Sequence, residues 1–374
     1  MSAPLDVLFL IRSLHLGGAE RQLTLLVLAM HAAGHRVRVA LFYTGGPFEA
    51  DLRAAGVPVL LLNKRGRWDI LSFFWRWVRL VRQERPAVVH GYLPMSNLLA
   101  VLAKPLTRWP KVVWGVRSSG SDPAYYGWMG RVEAWLQSKL SRYADLIICN
   151  SLRGKQHVLS QGFSSQRTVC VPNGVDCDSF YPDANTGRAT RAAWGVPESA
   201  YLIGIVGRFV PLKNHSGLFQ AVAPLLRQHD CCIVCVGSGT ADEQQKLQNL
   251  AADLGVADKV FFTGNYRDML GAYNAMDLFV SASLTEGAPN VLGEAMACNI
   301  PAVCTDVGDA AWLIADYGQV VPPGDIPALG KAVALAYHNR ARSIMHPRAR
   351  VLSSFSVSAL MSNTEAQLYR LSCC

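Results

Sequence analysis

The stretch Leu278-Phe279-Val280-Ser281-Ala282-Ser283-Leu284-Thr285-Glu286-Gly287-Ala288-Pro289-Asn290-Val291-Leu292-Gly293-Glu294-Ala295-Met296-Ala297-Cys298 changes character twice. Leu278-Phe279-Val280 is a short apolar run of the kind that forms a buried strand. Gly287 to Asn290 read as a turn, and a helix is expected to begin near Asn290. A second apolar run, Ala302-Val303-Cys304, follows soon after. Strand, helix, strand at this spacing is a βαβ unit, and a βαβ unit implies a parallel sheet with helices covering it.

The same alternation extends in both directions. In the second half, Leu202 to Val206, Cys232 to Val236 and Val260 to Phe262 are expected as strands. In the first half the expected strands are Val7 to Ile11, Val37 to Leu41, Val57 to Leu61, Ala87 to His90, Val112 to Trp114 and Leu146 to Ile148. A polar stretch, Asp183-Ala184-Asn185-Thr186-Gly187, separates the two series. The fold class is therefore α/β, with two Rossmann-like domains at 1–182 and 183–354. In such sheets ligands bind beyond the carboxyl ends of the strands.

Composition agrees with this reading. Of 374 residues, 51% are hydrophobic and 17% charged, which suits large cores and argues against disorder or a disulfide-stapled miniprotein. The net charge of +9 is unevenly placed: residues 1–190 carry +11 and residues 191–374 carry −2. An anionic membrane surface or an acidic substrate fits the first half. No zinc-finger spacing, RNP-like or basic-zipper pattern appears, so nucleic acid is not expected as a partner. The uncharged stretch 86–103 reaches the length of a membrane span, yet it contains Pro86, His90, Gly91, Pro94 and Asn97 and reads as strand, loop and helix. No secretory signal is visible, and a cytoplasmic location is expected. The ten cysteines lie largely in apolar runs. Cys232 and Cys235 have redox or metal spacing, but lack a second pair and fall in an expected core strand. Cys373-Cys374 reads as a chain end, or as a lipidation site in a eukaryotic cell.

Three loops carry chemistry. After the first strand come Arg12-Ser13-Leu14-His15-Leu16-Gly17-Gly18-Ala19-Glu20, where paired glycines lead into a helix start and allow a ligand to approach the backbone. After Leu202 to Val206 come Gly207-Arg208 and, five residues on from Arg208, Lys213; two cations there suit a diphosphate. After Leu278 to Val280, Glu286 and Glu294 bracket a helix start whose free amides favour an anion. Carboxylates at those positions suit sugar hydroxyls.

Glu286 and Glu294, within EGAPNVLGEAMACNIPAV, resemble the E-x7-E signature of retaining glycosyltransferase family 4. Gly17-Gly18-Ala19-Glu20-Arg21, Val171-Pro172-Asn173-Gly174-Val175-Asp176, Gly207-Arg208 and Lys213-Asn214-His215 resemble further motifs of that family, in family order across nearly the whole chain. The resemblance implies a GT-B fold, two Rossmann-like domains facing across a cleft, with the last helix (about 355–374) returning to the first domain. It implies a nucleotide-sugar donor on the second domain and an acceptor on the first. Arg208 and Lys213 would bind the diphosphate, Glu294 the ribose, and Glu286 the transferred sugar. Gly207, Gly287, Ala288, Pro289, Asn290 and Val291 would frame the donor, Tyr266 and Arg267 would border the base, and Gly18 would approach the donor phosphates or the acceptor. Gly17, His90 and Arg117 are placed on the acceptor side.

Several positions depart from the family pattern. Ala288 stands where many members carry Phe, and Asn299 where Gly is usual. Gly115-Val116-Arg117-Ser118-Ser119 occupies the segment where some members carry a His near the reacting sugar. Asp176-Cys177-Asp178 mimics a metal-binding D-x-D but sits in the Asn-Gly-Val-Asp segment, and Gly237-Ser238-Gly239 reads as a turn.

The expected activity is retaining transfer of a hexose-type sugar, with UDP favoured as the nucleotide, to a glycan or lipid-linked acceptor, without a metal or other cofactor. A nucleotide-sugar epimerase of the same architecture and a non-catalytic sugar-nucleotide-binding subunit are the alternatives. A nicotinamide dehydrogenase lacks its G-x-G-x-x-G after the first strand. Lys64-Arg65-Gly66-Arg67-Trp68 and Phe73-Phe74-Trp75-Arg76-Trp77-Val78-Arg79-Leu80-Val81-Arg82 interleave cations with aromatic rings. Such a helix either lies on an anionic membrane or packs its aromatic face on the sheet.

Overall fold

The computed structural model describes residues 3–66, 68–108, 110–117, 127–340 and 346–372. Arg67, Ser118, Ser119, Cys373 and Cys374, singled out above, lie outside the described residues. Among the described residues thirteen strands form two parallel sheets.

The first sheet holds β1 (Asp6–Ile11), β2 (Arg36–Leu41), β3 (Val59–Leu61), β4 (Val88–Tyr92), β5 (Lys111–Val116), β6 (Leu146–Cys149) and β7 (Thr168–Cys170) in the order β3-β2-β1-β4-β5-β6-β7. The second holds β8 (Tyr201–Val206), β9 (Cys231–Val236), β10 (Val260–Gly264), β11 (Leu278–Ser281), β12 (Ala302–Thr305) and β13 (Gly318–Val321) in the order β10-β9-β8-β11-β12-β13. In each sheet the chain winds outward from one central pair, β1 beside β4 and β8 beside β11. The crevice beyond the carboxyl ends of such a pair is where α/β sheets take ligands.

Side-chain alternation explains why both faces are covered. Val7, Phe9 and Ile11 of β1 join one core, and Leu8 and Leu10 join the other. In the second sheet Leu202 faces one core while Ile203 and Ile205 face the other. A strand buried on both sides needs apolar residues at every position, which is why the runs read as continuous. The same alternation puts Cys232 and Cys235 in different cores, so they cannot share a metal or pair with one another. Burial pushes the thiols of Cys149, Cys298 and Cys304 up to about 12, which keeps them protonated and inert.

The edge strands β7 and β13 were not anticipated. Each is three or four residues long and only partly buried, so neither has a run long enough to show a period. Their strand character comes from pairing with β6 and β12.

The chain divides into two compact units, one running to Gly174 and resuming at Val357, the other Val175–Ser356. The helix Val357–Ser372 belongs to the first unit, where Leu360 and Leu368 enter the core that also holds residues of the helix Gly18–Ala32. The pairing of His35 with Glu365 and the Tyr369 hydroxyl bond to the Ala3 carbonyl, at 2.9 Å, hold it there. The stretch 86–103 forms β4 and the helix Pro94–Ala103, as its prolines and glycine indicated. No helix among the described residues is long and apolar enough to cross a membrane.

Candidate active site

The loops after β8 and β11 leave adjacent strands, and this brings together residues far apart in sequence. The β8 loop turns through Pro211–Lys213, and Asn214, at φ 55°, caps the helix His215–Gln228 by accepting from the Gly217 amide at 3.2 Å. Lys213 Nζ donates to Glu286 Oε1. Ser283 Oγ donates to the same oxygen at 2.8 Å, and the Leu284 amide donates to the Leu212 carbonyl at 2.8 Å. Thr305 Oγ1 donates to the Ser283 carbonyl at 2.6 Å, which ties the loop to β12. Glu286 is thus oriented by a cation and a hydroxyl on one carboxylate oxygen.

Two backbone approaches admit only glycine. Gly237, ending β9 at φ 141°, would place a Cβ 2.1 Å from the Gly207 carbonyl oxygen. Gly308, at φ 56° beyond β12, would place one 2.1 Å from the Gly287 carbonyl oxygen, and the adjacent Asp309 amide donates to that oxygen at 3.1 Å. Such contacts, with left-handed torsions, exclude side chains on steric grounds. They press the loops after β8, β9, β11 and β12 into one rim.

The helix Asn290–Ala297 starts just after Gly287, Ala288 and Pro289, where it was expected, and no side chain caps its start. The Asn290 amide donates to the Ala288 carbonyl at 3.0 Å and the Leu292 amide to the Pro289 carbonyl at 3.1 Å, so what this start offers an anion is the positive end of the helix dipole. Val291 and Asn290 are half-buried in its first turn. Glu294, one turn in, is buried, and accepts from the Tyr273 hydroxyl at 2.7 Å. Arg208 is exposed at the end of β8, beside the half-buried Gly207. Beyond β10, the Tyr266 ring packs edge-on to Trp194 at 5.2 Å and Arg267 is exposed. His215 is buried against Phe209 with both ring nitrogens unbonded, and burial, assisted by Lys213, lowers its pKa to about 4. It is therefore neutral near pH 7 and adds no competing charge beside Lys213.

In the first unit, the loop after β1 leads to Gly17, which precedes the helix Gly18–Ala32, with Gly18 exposed at its start. Arg117, just past β5, lies over the Tyr92 ring at 4.2 Å and donates to the Tyr92 hydroxyl at 2.5 Å. His90 is fully enclosed, its ring 5.2 Å from Phe9 and 4.9 Å from Tyr92. Burial first, and then the Arg117 charge, hold its pKa well below the usual imidazole range. The imidazole has no exposed surface, so among these three side chains the half-buried Arg117 is the one that reaches solvent.

Two sequence departures have structural explanations. Asn299 follows its helix at φ 63°, and Asn is the non-glycine residue that best tolerates that region. The Asp176 carboxylate accepts from the amides of Asp178 and Ser179, both at 3.1 Å, and from Ser179 Oγ at 2.6 Å, so it caps its own turn. Sequence reasoning missed Tyr273, Ser283, Thr305, Gly308 and Asp309. The last three follow directly from an anticipated strand, Ala302 to Cys304, and reading onward into its loop was the available signal. Tyr273 had no local signal.

Comparison with known proteins follows the same division. The model of the family "Glycosyltransferase Family 4" matches residues 16–179, and that of "Glycosyl transferases group 1" matches residues 200–339. The UDP-Gal:alpha-D-GlcNAc-diphosphoundecaprenol alpha-1,3-galactosyltransferase of Escherichia coli is 24% identical over 315 residues, spanning 82% of this chain and 81% of that one. The lipopolysaccharide core biosynthesis mannosyltransferase LpcC of Rhizobium leguminosarum bv. viciae is 28% identical, over 75% of each chain. The crystal structure of Anabaena HepE in complex with UDP superposes with a TM-score of 0.85 at 22% identity, covering 98% of this chain and 100% of that one. Two doubly wound parallel sheets, loops converging beyond β8 and β11, and family matches over both halves lead to one conclusion: the chain belongs to the family 4, group 1 glycosyltransferases of GT-B fold and is a glycosyltransferase.

Proposed function

We propose that the protein transfers a hexose-type sugar, with retention of anomeric configuration, from a nucleoside-diphosphate sugar to a glycan or lipid-linked acceptor. The observation that carries this reading is the Lys213–Glu286 pair beside the start of the helix Asn290–Ala297. The cation, the Arg208 guanidinium and the positive end of the helix dipole answer the negative charge that grows on the leaving diphosphate. Glu286 accepts hydroxyls of the transferred sugar, and Glu294, held by Tyr273, accepts those of the ribose. Gly207, Gly287, Ala288, Pro289, Asn290 and Val291 frame the donor, Tyr266 and Arg267 flank the base, and Gly18 approaches the donor phosphates. The second unit is thus the donor unit. The first is the acceptor unit, with Gly17 and Arg117 at its ligand edge and His90 supporting Tyr92 and Arg117 from beneath.

In this mechanism the bond between the anomeric carbon and the diphosphate oxygen breaks as the acceptor oxygen attacks from the same face. The acceptor proton passes to the departing phosphate oxygen. This scheme requires no carboxylate nucleophile of the kind retaining glycosidases use. UDP is the favoured nucleotide: the E. coli relative's name carries UDP-Gal and HepE was crystallised with UDP. GDP comes next, since a mycobacterial relative is named for GDP-mannose. The relatives' names also support glycolipid or polysaccharide synthesis as the setting.

Contact with an anionic membrane is part of the same proposal. The helix Leu71–Glu84 buries Phe73, Trp77, Val78 and Val81 on the first sheet, yet Trp75 remains 55% exposed and Leu71 76% exposed. Amphipathic packing and a second, outward apolar edge therefore coexist on one helix.

A thermal-shift panel of UDP-, GDP- and ADP-sugars tests the donor assignment. A bound donor at 100 times its Kd adds about 2.7 kcal/mol of stability. No shift with any of them would sink the reading. Turnover without an acceptor to a free, altered nucleotide sugar would favour the epimerase, and binding without turnover the non-catalytic subunit. The anomeric configuration of the product, read by NMR, tests retention.

A further inference from the structure

Arg82, Arg85 and Arg108 surround a cavity of about 160 Å³ completed by Val81, Pro86 and Pro110. Among the described residues no carboxylate lines it. Glu84, the nearest in sequence, is engaged by Arg38 at 2.8 Å. Arg82 Nε donates to the Leu106 carbonyl at 2.8 Å, which fixes one guanidinium at the rim. All three arginines are exposed, so their side chains are accessible from solvent, and planar guanidinium forks match phosphate oxygens.

Arg85 supplies a second, independent observation. It terminates the helix Leu71–Glu84 in the left-handed region, at φ 46° and ψ 50°, where glycine is the usual residue. The chain keeps an arginine at a strained position, and that arginine lines this cavity. The site lies at the amino ends of β4 and β5, next to Pro86 and Pro110, on the edge of the sheet opposite Tyr92 and Arg117.

The same helix links this cavity to the apolar edge. Leu71, Trp75, Arg79 and Arg82 follow one another at helical spacing along one exposed face, with Trp68 and Ile70 exposed just before them. Apolar groups occupy the end nearer the ligand edge of the sheet, and arginines the other.

We propose that Arg82, Arg85 and Arg108 bind the phosphate head group of an anionic lipid. The proposal rests on the membrane reading above and adds a discrete site to it. The helix lies along the bilayer surface, Leu71 and Trp75 enter the interface, and the head group sits in the arginine cavity.

Flotation of the full chain with phosphatidylcholine vesicles, with and without phosphatidylglycerol, tests it. Each arginine removed is expected to weaken binding to the anionic vesicles about fivefold, from about 1 kcal/mol per basic residue near such a surface. Arg85→Gly places the favoured residue at the helix end, so its Tm should hold or rise while vesicle binding falls. The Arg82→Ala/Arg108→Ala variant should lose about 25-fold. A control of equal charge, Arg188→Ala/Arg227→Ala in the second unit, should bind as wild type does. Equal flotation of wild type and both cavity variants would overturn the site while leaving the membrane reading intact. Equal losses in the control would reduce the effect to net charge and also overturn it. No flotation of wild type would remove the membrane reading itself; the nucleotide-sugar shift in the second unit would be unaffected. A Tm shift with inorganic phosphate, abolished by the cavity variants and accompanied by no preference for anionic vesicles, would assign the site to a soluble phosphate and overturn the lipid.

Discussion

Lys213 and Glu286 stand 73 residues apart in the chain, and their side chains form one ion pair. They meet because β8 and β11 are neighbours in the sheet, with Leu278 opposite Ile203, and each residue lies in the loop that follows its strand. Both side chains are partly exposed, at 26% and 16%, so a donor can reach them.

Replacing Glu286 or Lys213 by Ala should lower kcat/KM by at least about a hundredfold, the scale of losing one preorganised transition-state contact. The stability cost should stay near 1 kcal/mol, because partly exposed pairs contribute little. Arg208→Ala, at an exposed position, should leave Tm unchanged and abolish transfer. Steady-state transfer assays beside thermal melts separate the two effects; near-normal turnover in a variant removes that residue from the mechanism.

Tyr273→Phe removes the hydroxyl that holds Glu294 at 2.7 Å. Loss of a buried bond to a carboxylate should cost about 1–3 kcal/mol of stability. Donor Kd should rise several-fold, because Glu294 loses its orientation, while the acceptor KM should not move. Calorimetric titration of the nucleotide checks the first, and unchanged donor affinity would detach Tyr273 from the site.

Gly237→Ala and Gly255→Ala both introduce a methyl group at positive φ, 141° and 66°, but into different surroundings. At Gly255 nothing lies within 4 Å, so about 1 kcal/mol of torsional strain is the whole cost. At Gly237 the methyl group would meet the Gly207 carbonyl, and about 3 kcal/mol is expected from strain and overpacking together. Only the Gly237 variant should also weaken donor binding. Denaturant melts and the nucleotide shift check both halves.

Acid should destabilise the second unit through His215. Its pKa is lowered from 6.5 to about 4 by burial and by Lys213, so the unfolded chain binds the proton more readily. The neutral imidazole's contribution is complete above about pH 6.5 and is lost as pH falls from there toward about 4. His90, depressed in the same direction, adds to the trend in the first unit. His215→Leu should flatten the fall in Tm between pH 6.5 and 4. An unchanged slope in that variant would show that His215 is not its source.

The α/β class, the strand series and the three candidate loops could be read directly from the chain. A strand covered on both faces must be apolar throughout, and a loop that cradles an anion must carry glycines, cations and a helix start at short spacing. Gly207, Arg208, Lys213, Glu286 and Glu294 were singled out for that reason, and the structure brings Lys213 and Glu286 into contact. The cysteine pair Cys232 and Cys235 was also correctly assigned to a core strand, since period-two alternation sends those positions to different faces.

Other features had no local expression. The short edge strands β7 and β13 exist by hydrogen bonding to neighbours, and Tyr273 reaches Glu294 across 21 residues through packing. The order of strands made Glu286 the partner of Lys213, and the helix Leu71–Glu84 divided its aromatic residues between core and solvent. Short-range patterns encode which residues can be buried or bind an anion. Which of them meet depends on strand order and helix packing, because those contacts close long loops and are set by the folded chain as a whole.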